Sequence, residues 1–455
     1  MDQAERYRQS LAWIHSIGRF GMKPGLERIA ALLERLGSPH RRLRFLHIGG
    51  TNGKGSTAAT AAAVLQAAGY RVGLYTSPYL LSFTNRMAVD GMDVDPAELV
   101  ELVERVRPLA ESISADQSLG QVTEFEVVTT LALLFFERRR PDLVVLEVGL
   151  GGRLDATNVV TPLLSVITNI SLEHTDVLGH TIAEIAREKA GIIKPAVPLL
   201  TAAADPAALA VFQNRCRELN APLYRVSSSS GVAGRGPLQA EEAVLTAFHE
   251  RGKIIPDGQH FTYNGFYRRL DDLFIPLRGA YQVTNAATAL AALELLAAHG
   301  FTINEPALRR GLAQTSWPGR LEVLDRAPLL IMDGAHNPAA AGELAAALPE
   351  YFSYRRLILI LGIMADKDIE AILSPLLPLA HTLVLTRPEL PRAADPHALA
   401  DLIRQNFRFT GAIHIAPAVH RALALGRGLA GPADALLVTG SLYTVSEARA
   451  AFKDQ

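Results

Sequence analysis

Cysteine is nearly absent: Cys216 is the single one in 455 residues, which excludes an intrachain disulfide and any zinc site built from several thiolates. Neither charge is in excess. The 45 Lys and Arg stand against 46 Asp and Glu, so there is no basic field to draw in a nucleic-acid backbone or an anionic bilayer. Apolar runs are short, below the roughly 20 residues that a membrane-crossing helix needs. Residues 1–10 are polar rather than basic and then apolar, so no secretory signal is expected. These absences leave a soluble, cytoplasmic protein without nucleic-acid or membrane partners as the expectation. The 49% hydrophobic content supplies material for a core, and the length favours two domains of unequal size.

Between Leu43 and about Pro198, short runs rich in Val, Ile and Leu alternate with helical patterns, as in a parallel sheet covered by helices. Strands are expected over 43–48, 71–75, 143–148 and 163–168, and helices over 57–68 and 127–138. Residues 227–237 read as a loop, followed by a small β-rich excursion to Leu277. Helical patterns over 283–299 and 305–314 lead to Trp317-Pro318-Gly319, a turn placed to act as an interdomain hinge. A second alternation follows, with strands expected over 329–332, 357–361, 382–386, 412–415 and 435–439. The fold class is α/β.

The strongest chemical signal is Gly49-Gly50-Thr51-Asn52-Gly53-Lys54-Gly55-Ser56-Thr57, between an expected strand and an expected helix. Glycines let backbone N–H groups turn towards phosphate oxygens, the helix N-terminus adds positive potential, Lys54 neutralises phosphate charge, and the Ser56 hydroxyl suits Mg²⁺. The loop departs from the common phosphate-loop pattern: one residue fewer separates Gly49 from Gly53, and Gly55 stands between lysine and hydroxyl. Glu147 closes an apolar strand, where ligands of open α/β sheets bind and where a carboxylate takes Mg²⁺ or caps the following loop. Ser77 and His174 also follow strands, as oxygen donor or turn residue and as ligand or structural histidine. Lys189 sits among charges in a helical pattern, which alone describes a solvated face. Asp333, in Asp333-Gly334-Ala335-His336-Asn337-Pro338, ends a strand as a ligand-facing carboxylate or a helix cap.

Taken together, the segments GTNGKGST, TSPYL, EVGLGGRLDATN, SLEHTDVLG, REKAGIIKP, NAATAL, WPGRLEV, DGAHNP, LGIMADKD and VTGSLYTV resemble the folylpolyglutamate synthase and dihydrofolate synthase family, itself related to the Mur ligases. The resemblance implies a Mur-ligase-like P-loop ATPase domain with a parallel central sheet over 1–317. A smaller Rossmann-like α/β domain that handles glutamate would follow over 318–455. It implies that Asn52, Gly53, Lys54, Gly55, Ser56 and Thr57 hold the triphosphate of ATP, with Asn285, Arg320 and Asp333 as further nucleotide contacts. Ser56, Ser77, Glu147 and His174 would bind Mg²⁺, and Lys189, as a carbamate, would present oxygens to a second Mg²⁺. The pterin-bearing substrate would lie near Met22, Lys23, Pro24, Gly25, Thr123, Glu124, Phe125, Glu126, Leu154, Asp155 and Ala156. Glutamate would meet His336 and Ser441. Tyr79, Asn85 and Glu124 depart from the family's common residues. The resemblance also implies a monomer.

The implied reaction transfers the γ-phosphoryl of ATP to a carboxylate, and the amine of L-glutamate then displaces phosphate to form an amide, with Lys54, Lys189 and His336 in catalytic roles. The carboxylate would be dihydropteroate, a reduced folate whose tail is extended, or both. The alternatives are a Mur-type ligase on another carboxylate and a P-loop ATPase switch, which needs no amine substrate.

Overall fold

The sequence 45–49, Phe-Leu-His-Ile-Gly, forms a strand in which every residue is buried, because it lies between neighbours on both sides with helices on its faces. The computed structural model describes residues 2–18, 25–228 and 244–453. Their Cα packing divides into two units, one made of Met1–Gly252, His260–Ile275 and Val283–Thr315, the other of Lys253–Gln259, Pro276–Gln282 and Ser316–Gln455.

The strands of the larger sheet are β1 (Phe45–Gly49), β2 (Val72–Tyr75), β3 (Met87–Val89), β4 (Met92–Asp93), β5 (Leu143–Glu147), β6 (Leu164–Ile167), β7 (Leu199–Thr201), β8 (Leu223–Ser228), β9 (Leu245–Ile255), β10 (Gly258–Asn264) and β11 (Arg269–Ile275). Their order is β11-β10-β9-β8-β7-β6-β1-β5-β2-β3-β4. β1 runs parallel to β5 on one side and β6 on the other, with Ile48 opposite Glu147 and Gly49 opposite Ile167. The carboxyl ends of these three central strands therefore share one edge of the sheet, where ligands of such folds collect.

Helix Lys54–Ala67 follows β1 directly, its start marked by Gly53 in the left-handed region. Helix Glu124–Arg139 is opened by a reciprocal capping box: Glu126 N–H donates to Thr123 Oγ1 at 3.2 Å, and Thr123 N–H donates to Glu126 Oε2 at 2.7 Å. Val127 to Phe136 are buried without interruption, and each large apolar side chain among them contributes about 1.5–3 kcal/mol by leaving water.

In the second unit the strands are β12 (Glu322–Arg326), β13 (Leu329–Met332), β14 (Leu357–Leu361), β15 (Thr382–Leu385), β16 (Ala412–Ile415) and β17 (Ala435–Thr439), ordered β12-β13-β17-β14-β15-β16. All neighbours pair in parallel except β12 with β13. Helices Pro338–Tyr351, Ile369–Leu376 and Pro396–Asn406 begin at Asn337, Asp368 and Asp395, whose side chains accept backbone N–H groups of the first turn.

The expected α/β architecture is what the structure shows, with β3, β4 and β7 added to the expected strands and three further differences. The β-rich excursion is not separate: β9, β10 and β11 extend the main sheet at its edge. The expected loop 227–237 begins instead as the end of β8, and its residues from 229 lie outside the described ones. The sequence reading also passed over β12, whose Glu322, Asp325 and Arg326 mask a strand that pairs through its backbone. Among the described residues no helix is long and apolar enough to cross a membrane.

Candidate active site

The loop after β1 is held in shape by the residues after β6. Thr51 N–H donates to Asn169 O at 2.9 Å and Asn52 N–H to Asn169 Oδ1 at 2.7 Å, while Thr168 Oγ1 donates to Asn52 O at 2.7 Å. Two glycines are required. Gly50 has φ 137°, and a Cβ there would lie 1.9 Å from Thr168 Oγ1; Gly53 has φ 85°, and its Cβ would lie 2.3 Å from Asn285 Oδ1. Asn285, a candidate nucleotide contact, thus packs directly on the loop.

Lys54 opens the helix and donates to Gly50 O at 3.2 Å and Thr51 O at 3.0 Å. Ser56 and Thr57 are buried in the first turn, and Thr57 Oγ1 has no hydrogen-bond partner among the described residues. Lys189 ends helix Ile182–Lys189 and is buried, not on the solvated face that its charged neighbours suggested. Its Nζ donates to Gly50 O at 2.9 Å. Burial first, and then the charge of Lys54, push its amine down to about 7, against the opposing pull of Glu173 and Asp155.

Glu147 ends β5 as a buried carboxylate and accepts Ser77 N–H at 3.2 Å, which joins the ends of β5 and β2. His174 follows β6, exposed and in the left-handed region at φ 50°, with Nε2 3.9 Å from Glu173 Oε1. No three His, Cys, Asp or Glu side chains gather into a ready metal cage among the described residues. That fits Mg²⁺ held with a nucleotide, which needs one or two carboxylates and takes its other ligands from phosphate and water. Glu147, with Ser77 drawn to it, provides such a carboxylate.

The substrate candidates form a second group. Met22, Lys23 and Pro24 lie outside the described residues; Gly25 precedes Arg28, which pairs with buried Glu126 at 3.1 Å. Thr123 and Glu126 form the capping box, and Glu124 lies 3.4 Å from His15 Nδ1. Phe125 reaches the loop after β5, so closely that a Cβ on Gly149 would stand 2.4 Å from its Cζ. Leu154, Asp155 and Ala156 end that loop, and the Asp155 carboxylate accepts Leu150 N–H at 2.8 Å.

In the second unit Asp333 is buried after β13; its Oδ2 accepts Leu321 N–H and its Oδ1 Ala335 N–H, each at 2.9 Å. The helix cap is Asn337, not Asp333. Burial raises the Asp333 carboxyl, opposed chiefly by the nearby Arg320 cation. Arg320 donates to Gly319 O at 2.9 Å, and His336 Nδ1 donates to Gly334 O at 2.8 Å. The Ser441 hydroxyl accepts Thr444 N–H at 3.0 Å and so caps the last helix. A cavity of about 390 Å³ in this unit, walled by Ile255, Val323, Leu329, Tyr351 and Phe352, contains none of these candidates. The sequence reading missed Thr168, Asn169 and Glu173; their signal was their place directly after β6, beside the glycine-rich loop.

A glycine-rich loop, two converging lysines and a carboxylate at the edge of a parallel sheet, followed by a second α/β unit, define a nucleotide-dependent ligase of the Mur type. Residues 48–293 match the Mur ligase middle domain and residues 319–442 the Mur ligase glutamate ligase domain. The chain belongs to the dihydrofolate synthase/folylpolyglutamate synthase family of ATP-dependent ligases. It is 35% identical to the dihydrofolate synthase/folylpolyglutamate synthase of Bacillus subtilis, over 98% of this chain and 99% of that protein. Mycobacterium tuberculosis folylpolyglutamate synthase complexed with ADP and AMPPCP superposes with a TM-score of 0.88 at 33% identity, over 99% of both chains. Escherichia coli FolC in complex with DHPP and ADP gives 0.82 at 30% identity, over 98% of both.

Proposed function

We propose that this ligase adds L-glutamate to folate-type carboxylates, converting dihydropteroate to dihydrofolate, extending the glutamate tail of reduced folates, or both, through an acyl phosphate. The observation that carries the reading is the convergence of Lys54 and Lys189 on Gly50 O, at the sheet edge where β5 ends in Glu147. In this reading the ATP-binding part spans 1–317 and the glutamate-handling part 318–455, in a cytoplasmic monomer.

A free carboxylate resists amine attack because oxide is not expelled, so the γ-phosphoryl is first transferred to it. Backbone N–H groups of residues 52–57 cradle the triphosphate, and Lys54 exchanges its two carbonyl acceptors for phosphate oxygens, offsetting charge as the β–γ bond breaks. Magnesium, held by Ser56, Ser77, Glu147 and His174 and at a second position by carbamylated Lys189, supplies charge neutralisation to the phosphates. Asn285, Arg320 and Asp333 contact ATP. Gly25, Met22, Lys23, Pro24, the start of helix Glu124–Arg139 and Leu154, Asp155 and Ala156 bind the pterin-bearing substrate. His336 orients glutamate, with Ser441 fixing the helix beside it.

The test is phosphate release by the purified full chain with ATP and glutamate, comparing dihydropteroate, tetrahydrofolate and no acceptor. Release that needs both glutamate and one of the two acceptors supports the reading. Release independent of glutamate removes it in favour of an ATPase, and release with neither pterin removes the substrate class.

A further inference from the structure

Beneath the phosphate loop, a polar chain crosses from β1 to the loop after β5. His47, at the centre of β1, is fully buried, and its Nε2 lies 2.9 Å from Thr157 Oγ1. Thr157, also fully buried, directs the same hydroxyl to Asp155 Oδ1 at 2.5 Å. Asp155 Oδ1 further accepts Thr157 N–H at 3.0 Å, and its Oδ2 accepts the N–H of Leu150 at 2.8 Å. One carboxylate therefore closes the 150–157 segment on itself.

The direction of the chain follows from counting protons. Two backbone N–H groups, one on each oxygen, can only donate to Asp155, so the carboxylate is committed as an acceptor and the short Thr157 contact uses the hydroxyl proton. A threonine hydroxyl has one proton, so towards His47 it can only accept. His47 must then carry its proton on Nε2. This leaves Nδ1 as a bare acceptor, and Nδ1 indeed has no partner among the described residues. The opposite tautomer would bury an unpaired N–H instead, which is the rarer and costlier orphan. A charged imidazole is disfavoured here for the same reason: burial, and then Lys194, push His47 down to about 3.

We propose that His47 is a positioning residue: by donating from Nε2 to Thr157 it orients the Asp155 carboxylate, and through it the 149–155 loop that faces the acyl substrate. The substrate side of this statement rests on the function proposed above; the relay itself does not. His47 touches no reacting atom. Its effect reaches the substrate because the Asp155 carboxylate holds a backbone N–H of the loop on each oxygen, and the Thr157 hydroxyl adds a directed bond to Oδ1. Loss of that tie leaves the Asp155 carboxylate to its backbone N–H donors.

Glutamine reproduces the Nε2–H donor position of histidine, and asparagine the Nδ1 position. His47→Gln and His47→Asn in the full chain therefore separate a directed donor from mere bulk, and Thr157→Val removes the middle link at nearly constant shape. Expected in phosphate-release assays is a rise of about tenfold in KM for dihydropteroate in His47→Asn and Thr157→Val. KM for ATP should stay within about twofold and His47→Gln near the parent. The double variant His47→Asn/Thr157→Val should be no worse than the poorer single one, because both cut one chain. Amide exchange at Leu150 reads the relay without substrate: it should quicken in His47→Asn and not in His47→Gln. Unchanged exchange and KM in His47→Asn overturn the proposal, as does His47→Gln behaving like His47→Asn. A parent enzyme inert towards dihydropteroate refutes the proposed substrate, while the exchange comparison still decides the relay.

Discussion

Lys54 and Lys189 share one acceptor, the carbonyl oxygen of Gly50, at 3.2 and 2.9 Å. Two ammonium groups on one backbone oxygen repel, and the buried one gives way: burial, and then the charge of Lys54, push the Lys189 amine down to about 7. A neutral amine is the form that adds carbon dioxide. The resulting anion beside Lys54 would turn a repulsive pair into an attractive one, which gives the proposed carbamate a physical origin.

Replacing Lys189 by Met tests this through stability and rate together. The unfolded chain keeps this lysine protonated up to about 10.5 while the folded chain releases its proton at about 7. Between those values the unfolded state binds the extra proton, so the lysine's penalty on folding is greatest below pH 7 and fades as pH rises towards 10.5. Lys189→Met should therefore raise stability at pH 6–7, by on the order of a few kcal/mol, and lose glutamate-dependent phosphate release by about a hundredfold or more. Denaturant titrations showing no gain at pH 6 would contradict the burial argument.

Lys54→Ala should leave the fold intact, since Lys54 is half-buried and the Gly50 carbonyl keeps its bond from Lys189. Turnover should fall by about 10²–10³ from loss of charge stabilisation. Because Lys54 also depresses Lys189, the same variant should raise the Lys189 pKa. Near-parental turnover would exclude Lys54 from the chemistry.

At Gly50 the loss should be structural. A Cβ there would meet Thr168 Oγ1 at 1.9 Å, and φ 137° lies outside the range that L side chains adopt comfortably. Gly50→Ala should lower the thermal midpoint and abolish nucleotide protection against unfolding, while Gly69→Ala, also at positive φ but open to space, should cost only about 1 kcal/mol. Equal losses at the two positions would show that the loop contact is unimportant.

The central strands, the glycine-rich loop and both α/β units were legible because each depends on local pattern: an apolar run, a glycine cluster, a cap. The strand after residue 328 matches its expected limits, and β1 differs by a residue or two. Lys189 was not legible. Its neighbours Arg187 and Glu188 describe a solvated face, and only the packing of the helix end over Gly50 makes it a buried amine. Asp333 was half legible, since spacing marks a carboxylate after a strand but not that Asn337 takes the cap and leaves it to hold Leu321. His47 carried no signal in the sequence, because its partner Thr157 is 110 residues away.

Two buried imidazoles set an acid limit. Burial pushes His47 down to about 3 and His249, whose Nε2 lies 3.1 Å from Thr284 Oγ1, to about 4. Above pH 6.5 both are neutral whether folded or not and contribute no pH dependence. Below it the unfolded chain takes up protons first, so stability falls by about 1.4 kcal/mol per pH unit for each histidine, down to about pH 3 for His47 and pH 4 for His249. His249→Gln should flatten the fall between pH 6 and 4 in equilibrium unfolding; an unchanged slope would show that the site admits water.

Asp333→Asn separates nucleotide contact from architecture in the second unit. Both carboxylate oxygens accept backbone N–H groups, one of them from Leu321, a fully buried residue held in the left-handed region at φ 43°. That conformation costs a leucine about 1–2 kcal/mol, and the Asp333 bond is what opposes its relaxation. An amide at this position must turn an NH₂ towards one of the two N–H donors, leaving it unpaired at a cost of about 1–3 kcal/mol. Asp333→Asn should thus destabilise the chain even without ligand, lowering its thermal midpoint. If Asp333 served the nucleotide alone, Asp333→Asn would weaken ATP binding in a titration yet leave the ligand-free thermal midpoint where it was.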